Sequence, residues 1–193
     1  MAKIGFIGTG VMGAAMAGHL LDAGNELYVY NRTKAKTDSL VARGATYCAT
    51  PQEIAEVTDI VFSIVGYPKD VREIYFGEKG VFKADVHGTF LVDMTTSEPA
   101  LAQEIYHAAK EAGASALDAP VSGGDIGAKN ASLTIMVGGE EEAYEHLLPY
   151  FEAIGKTITR QGAAGAGQHT KMANQIAIAG TVSYTHLTLP TIA

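Results

Sequence analysis

Gly8-Thr9-Gly10-Val11-Met12-Gly13 is the segment of this chain in which residue type and spacing most directly prescribe chemistry. It follows the apolar run Ile4 to Ile7 and opens a stretch in which Met12, Met16 and Leu20 recur at helical spacing. A G-x-G-x-x-G turn therefore sits between a strand and a helix. Gly8 serves the tight turn, Gly10 lets a pyrophosphate approach the backbone, and Gly13 allows close helix-strand packing. With the backbone of Thr9, Val11 and Met12, the free N–H groups and positive dipole end of the helix complete an anion site. A dinucleotide is the expected ligand. About 20 residues further on, a site for NAD would place Asp or Glu against the ribose 2′-hydroxyl. This chain instead has Asn31-Arg32-Thr33-Lys34. A guanidinium can clamp a 2′-phosphate in bidentate fashion, with Asn31, Thr33 and Lys34 adding donors and charge, so NADP (NADPH) is expected over NAD. The competing reading is a solvated Arg-Lys pair on a loop.

Asp118-Ala119-Pro120-Val121-Ser122-Gly123-Gly124 follows another short apolar run, at the carboxyl edge of the expected sheet, where doubly wound proteins bind ligands. Ser122 offers a hydroxyl, and Gly123 and Gly124 let backbone N–H groups converge on a substrate carboxylate. A purely structural turn fits the same residues. Lys171 and Asn174 lie one helical turn apart on one face, a pair suited to carbonyl reduction: an ammonium protonates the oxygen as hydride arrives at carbon, and a carboxamide orients it. Spacing alone does not separate Lys171 from an ordinary surface lysine. His169 falls on another face, none of the six histidines has a metal-ligand spacing, and no metal site is expected.

The elements that must position these groups alternate. After the strand at Ile4 and a helix stopping near Gly24, strands are expected at Leu27 to Tyr30, Asp59 to Val65, Phe90 to Val92, Ala116-Leu117 and Leu133 to Val137. Thr50-Pro51-Gln52-Glu53 reads as a capped helix start. Ser97 reads as the cap of a helix running to about Ala112. Ala143, Leu147, Phe151 and Ile154 share one face of a helix that begins with acidic residues. The expected class is α/β, a Rossmann-type doubly wound, mostly parallel sheet over residues 1–162. Residues 163–180 read as a glycine hinge and the start of an inter-domain helix, and 181–193, rich in β-branched residues and carrying Pro190, as an irregular or foreign tail.

The chain has 193 residues, 47% of them hydrophobic and 18% charged, a net charge of -7 and one cysteine. That composition sets disorder aside, leaves no disulfide framework, and argues against nucleic acid or an anionic membrane as partner. A small molecule and a cytoplasmic setting are expected, since the first residues run straight into a strand and no stretch approaches a membrane span.

Taken together, GFIGTGVMGAAMAGHL, DAPVSGG followed by SLTIMVGG, and GAGQHTKMANQ resemble the β-hydroxyacid dehydrogenase family over about residues 2 to 180. The resemblance implies a Rossmann domain, a long inter-domain helix and an all-helical second domain, which is expected to be missing from these 193 residues, with the full-length form expected to be a homo-oligomer. It implies that Lys171 is the catalytic lysine, Asn174 its polar neighbour, Ser122, Gly123 and Gly124 the substrate-carboxylate loop, and Thr95 or Thr96 a cofactor contact near the nicotinamide. Hydride transfer between NADP(H) and a small β-hydroxyacid or its semialdehyde is the implied reaction. A dinucleotide-binding fragment without catalysis is the alternative. Asn174 and Gln175 stand where 6-phosphogluconate dehydrogenases carry His-Asn, so decarboxylating chemistry is not expected.

Overall fold

The computed structural model describes residues 2–192, with side chains through Thr181. The chain alternates as its apolar pattern requires. β1 (Lys3–Ile7) leads through the glycine turn into α1 (Val11–Asp22), then β2 (Glu26–Tyr30), a 3-10 turn at Lys34–Thr37, α2 (Asp38–Val41) and the short β3 (Thr46–Tyr47). α3 (Pro51–Val57), β4 (Ile60–Ser63), α4 (Pro68–Phe76), β5 (Phe90–Asp93), α5 (Pro99–Glu111) and β6 (Ser115–Asp118) follow. The chain continues with β7 (Val121–Ser122), α6 (Gly124–Lys129), β8 (Leu133–Gly138), α7 (Glu141–Glu152), β9 (Gly155–Gly162) and α8 (Ala166–Ile192).

The nine strands form one sheet in the order β3-β2-β1-β4-β5-β6-β8-β7, with β9 on β8. Pairing is parallel from β3 to β6, antiparallel where β8 meets β6 and β7, and parallel again between β8 and β9. This is the doubly wound order, whose direction of winding reverses between β1 and β4. Strand side chains alternate between two apolar layers: Phe6, Phe62 and Val92 join Met16, Leu20 and Phe151 on one face, while Ile7, Val61 and Leu91 join Ile54, Tyr75 and Ile105 on the other. Each such burial contributes about 2 kcal/mol, which holds the carboxyl ends of β1, β4 and β5 in one row. No helix among the described residues is long and apolar enough to cross a membrane.

Thr50 caps α3 as its residue pattern requires: its Oγ1 accepts the Glu53 N–H at 3.0 Å, and Glu53 Oε2 accepts the Ala49 N–H at 2.7 Å. Ser97 does not cap α5. The helix starts at Pro99 with Glu98 at the N-cap, because proline fixes the first helical φ and holds the preceding residue extended.

Two readings of the C-terminal part are corrected. The run Gly162 to Gly167 is not a hinge: the Asp118 carboxylate accepts the Gly165 N–H at 2.7 Å and the Gln168 N–H at 2.8 Å, pinning the start of α8 to the end of β6. A Cβ on Gly167 would come within 2.4 Å of the Met136 carbonyl, so glycine serves close approach here rather than mobility. The backbone also stays helical to Ile192, where an irregular tail is expected. Extending an existing helix needs no new nucleus, and β-branched residues cost only a few tenths of a kcal/mol each, roughly 0.5. Propensity alone does not end the helix.

Candidate functional site

A cavity of about 590 Å³ opens at the winding reversal, floored by Gly8, Gly10 and Met12 and walled by Ile64, Val65 and Thr95. The glycine turn builds it from three different constraints. Gly8 has φ +98°, a left-handed conformation, and donates its N–H to the Tyr30 carbonyl at 2.8 Å. A Cβ on Gly13 would stand 1.9 Å from the Gly8 carbonyl oxygen, so α1 can lie this close to β1 only without a side chain there. A Cβ on Gly10 would meet no atom within 4 Å. It would project into open space at the mouth of α1, whose first N–H groups have no partner within the helix. The turn thus leaves an anion-sized opening at a helix start in a cavity large enough for part of a dinucleotide, and the residues present fit that ligand.

Gly8, Gly10, Val11, Met12 and Gly13 all line the cavity. Thr9 does not: its side chain is buried, and its N–H goes to Asn31 Oδ1 at 3.1 Å. Asn31 lines the wall, yet its carboxamide is engaged at both ends, since Nδ2 donates to the Thr33 carbonyl at 3.0 Å. It braces the end of β2 against the glycine turn, and the second Nδ2 proton is left as a donor. Arg32 and Thr33 line the same end. The Arg32 guanidinium is 85% exposed and pairs with Asp70 at 3.1 Å, an ion pair open enough to water to be worth little by itself. Lys34 turns away, its ammonium 4.7 Å from the centre of the Tyr47 ring, and Lys36, two residues later in the same 3-10 turn, lines the cavity in its place. The pattern of residue types singled out Lys34 but neither Lys36 nor Asp70; their contribution arises from the turn of the chain at Lys34–Thr37 and from α4 crossing beside it.

At the opposite end Thr95 and Thr96 line the cavity. Thr95 is buried, with Oγ1 accepting the Val65 N–H at 3.0 Å and its own N–H donating to Asp93 Oδ1 at 3.2 Å. Asp93 also receives the Ser63 hydroxyl at 2.9 Å, and Ser63 in turn meets the Tyr75 hydroxyl at 3.1 Å. Burial raises the Asp93 carboxyl to about 6; hydrogen bonds from Thr95 and Ser63 oppose the rise and the nearby Asp118 charge adds to it. No reading of the residues had identified this acid, although a carboxylate ending an apolar strand must be partnered wherever it is buried. An acid whose pKa is raised on folding keeps a proton that the unfolded chain has already lost. Stability from Asp93 is therefore greatest below about pH 4 and falls as pH rises towards about 6, by about 3 kcal/mol. Urea melts of Asp93→Asn and the unsubstituted chain at about pH 4.5 and about pH 6.5 check this. The loss on raising pH should be smaller in the variant by about 2 kcal/mol, and equal losses would contradict the assignment.

Lys171, Asn174 and Ser122 meet although 49 and 52 residues separate them in sequence: Lys171 Nζ donates to Ser122 Oγ at 2.8 Å and Asn174 Nδ2 to the same oxygen at 3.0 Å. Lys171 is only 7% exposed, and burial lowers its pKa. Two donors on its oxygen leave the Ser122 hydroxyl proton for a third partner. Gly123 and Gly124, with φ of +130° and +62°, turn the backbone sharply beside it. This group is not part of the cavity lining. Val121, the neighbour of Ser122, lines the cavity, so the group adjoins the cavity wall. His169 is exposed and stays outside the group.

A family model described as the NAD binding domain of 6-phosphogluconate dehydrogenase matches residues 3–162. Among curated proteins, an uncharacterized oxidoreductase, YkwC, of Bacillus subtilis is 54% identical over 176 residues, 91% of this chain and 61% of that protein. The 2-hydroxy-3-oxopropionate reductase of Escherichia coli is 43% identical, covering 92% of this chain and 60% of that protein. Among solved structures, a 3-hydroxyisobutyrate dehydrogenase of Mycobacterium tuberculosis with L-serine superimposes with a TM-score of 0.85 at 34% identity, over 98% of this chain and 67% of that one. The chain thus spans about six-tenths of the length of these relatives.

Proposed function

The chain belongs to the family of NAD-binding domains of the 6-phosphogluconate dehydrogenase type, with 3-hydroxyisobutyrate dehydrogenase and 2-hydroxy-3-oxopropionate reductase among its homologues, and from that premise we propose that it serves hydride transfer between NADP(H) and a small β-hydroxyacid or its semialdehyde. The observation that carries this reading is the buried Lys171 ammonium on Ser122, against the wall that Val121 shares with the cavity. Bound in that cavity, the nicotinamide supplies the hydride. The α1 N-terminus holds pyrophosphate through its N–H groups. Ser122 gives its free hydroxyl proton to the substrate carboxylate, and Gly123 and Gly124 let the backbone approach it. Lys171 moves the proton at the reacting oxygen: as ammonium it protonates an alkoxide in reduction, and as amine it takes the hydroxyl proton in oxidation. The lowered pKa brings the two forms closer together near neutral pH. Asn174 holds the same oxygen network in register.

Preference for NADP rests on Arg32, Thr33 and Lys36 at the β2 end of the cavity, where no carboxylate follows β2. Arg32→Asp should weaken NADPH binding by at least about 10-fold while NADH stays within about 3-fold, since a charge-assisted phosphate contact is worth about 2 kcal/mol. Fluorescence titration with both cofactors measures it. Equal affinities for NADPH and NADH before substitution would make Arg32 a surface base only.

The alternative reading is cofactor binding without catalysis, favoured by Met172 and Ile176, 50% and 69% exposed on the helix that carries Lys171. A turnover screen of short hydroxyacids and semialdehydes with NADP(H) separates the two. Turnover of at least one of them is expected; saturable NADPH binding with none turned over would favour the alternative.

A further inference from the structure

Gln168 is 2% exposed and every polar group it has is engaged. Its Nε2 donates to the Thr95 carbonyl at 2.7 Å, its Oε1 accepts the Ser97 N–H at 2.9 Å, and its own N–H donates to Asp118 Oδ2 at 2.8 Å. The side chain thus replaces, for the loop after β5, the pairing that a neighbouring strand would provide. That loop carries Thr95 and Thr96 into the cavity wall. Gln168 also stands one turn before Lys171 in α8, and Asp118 fixes the turn from below through Gly165 as well as Gln168. Contacts on one residue therefore join the cavity wall to the helix that presents the buried ammonium.

We propose that Gln168 is a positioning residue: by clamping residues 95–97 to the first turn of α8, it sets both the place of Lys171 beside Ser122 and the shape of the Thr95–Thr96 end of the cavity. The proposal deepens the dehydrogenase reading and rests on it for the identity of the ligand in the cavity. A glutamine is suited to the task because it is neutral and bifunctional. It satisfies one buried carbonyl and one part-buried N–H, and it carries no charge that would add to the neighbouring Asp93 and Asp118.

The test uses the 193-residue chain and two variants. Gln168→Met keeps the length and volume and removes both side-chain hydrogen bonds; Gln168→Asn keeps a neutral carboxamide but is one methylene too short to hold both Thr95 and Ser97. Reductive methylation with formaldehyde and cyanoborohydride is followed across pH, and mass spectrometry reads each lysine separately. In Gln168→Met, Lys171 should methylate with a midpoint moved up towards the ordinary lysine range as the helix turn relaxes and the ammonium gains water, with the other lysines unchanged. NADPH, titrated by fluorescence, should bind at least about 5-fold more weakly, the worth of one lost hydrogen bond. A folded Gln168→Met with the parent's Lys171 profile would overturn the proposal, and an affinity within about 2-fold of the parent's would overturn its cavity half. Should Gln168→Met fail to melt cooperatively, Gln168→Asn, which is equally neutral, decides by the same two readings. Failure of the unsubstituted chain to bind NADPH would instead refute the cofactor reading, and the Lys171 profiles would still decide whether Gln168 positions the lysine.

Discussion

On the proposed reading Lys171→Ala should lower kcat by about 10³-fold, within the range that a positioned general acid or base contributes, and should leave NADPH affinity within about 3-fold. The separation follows from placement. Lys171 touches Ser122 and is absent from the cavity lining, so its loss should remove the proposed proton donor without disturbing the walls of the cavity. The measurement is steady-state turnover of a form carrying the additional length found in the curated relatives, beside cofactor titration of the same variant. pH adds a second signature. Burial lowers the Lys171 pKa, so the reductive rate, which needs the ammonium, falls as pH rises through a midpoint below the ordinary lysine value of 10.5. The oxidative rate, which needs the amine, rises through the same midpoint. Unchanged turnover in the alanine variant would remove Lys171 from the mechanism.

Gly10→Val weakens dinucleotide binding by at least about 100-fold and costs the fold only about 1 kcal/mol, the penalty of a poor helix cap. Gly10 has φ -73° and ψ -164°, which any residue can adopt, and a Cβ there meets nothing in the protein. The added methyl groups would occupy only the open space proposed for the pyrophosphate. Gly13→Val gives the opposite pattern: its Cβ would start 1.9 Å from the Gly8 carbonyl, so helix and strand must part and the melting temperature falls sharply. Melting curves and NADPH titrations of the pair measure both effects. A Gly10→Val protein that binds as tightly as its parent would show that the opening at α1 is not the phosphate site.

How far these residues could be read from the chain depended on the range of the interactions that fix them. The glycine turn was legible because its constraints are local: strand, turn and helix lie within twenty residues, and Gly8 and Gly13 answer steric demands of that unit while Gly10 leaves its mouth open. The parallel strands were legible for the same reason, their continuous apolar runs reporting burial on both faces. Lys171 was not legible from its type or spacing, because its burial depends on Ser122, 49 residues earlier, and only the resemblance of three ordered motifs singled it out. Long-range partners also account for the misreadings. The run at Gly162 to Gly167 has the composition of a flexible link, and Asp118, 47 residues before Gly165, makes it a fixed joint. Asn31 reads as a donor beside Arg32, and its Oδ1 also accepts the Thr9 N–H, a bracing contact that its position after β2 does not announce. Ser97 precedes a helix as a cap would, but Pro99 sets the start two residues later and Gln168 claims the Ser97 N–H. Buried polar groups are assigned by what the fold brings to them, and that information is spread over the whole sheet.

The structure of this chain with NADPH bound tests the account most directly. The account places the pyrophosphate against the first N–H groups of α1 beside Gly10, the 2′-phosphate within hydrogen-bond reach of Arg32 or Thr33, and the nicotinamide at the Thr95–Thr96 end on the side where Val121 leads to Lys171. A dinucleotide bound outside this cavity, or one whose nicotinamide points away from Lys171, would contradict it.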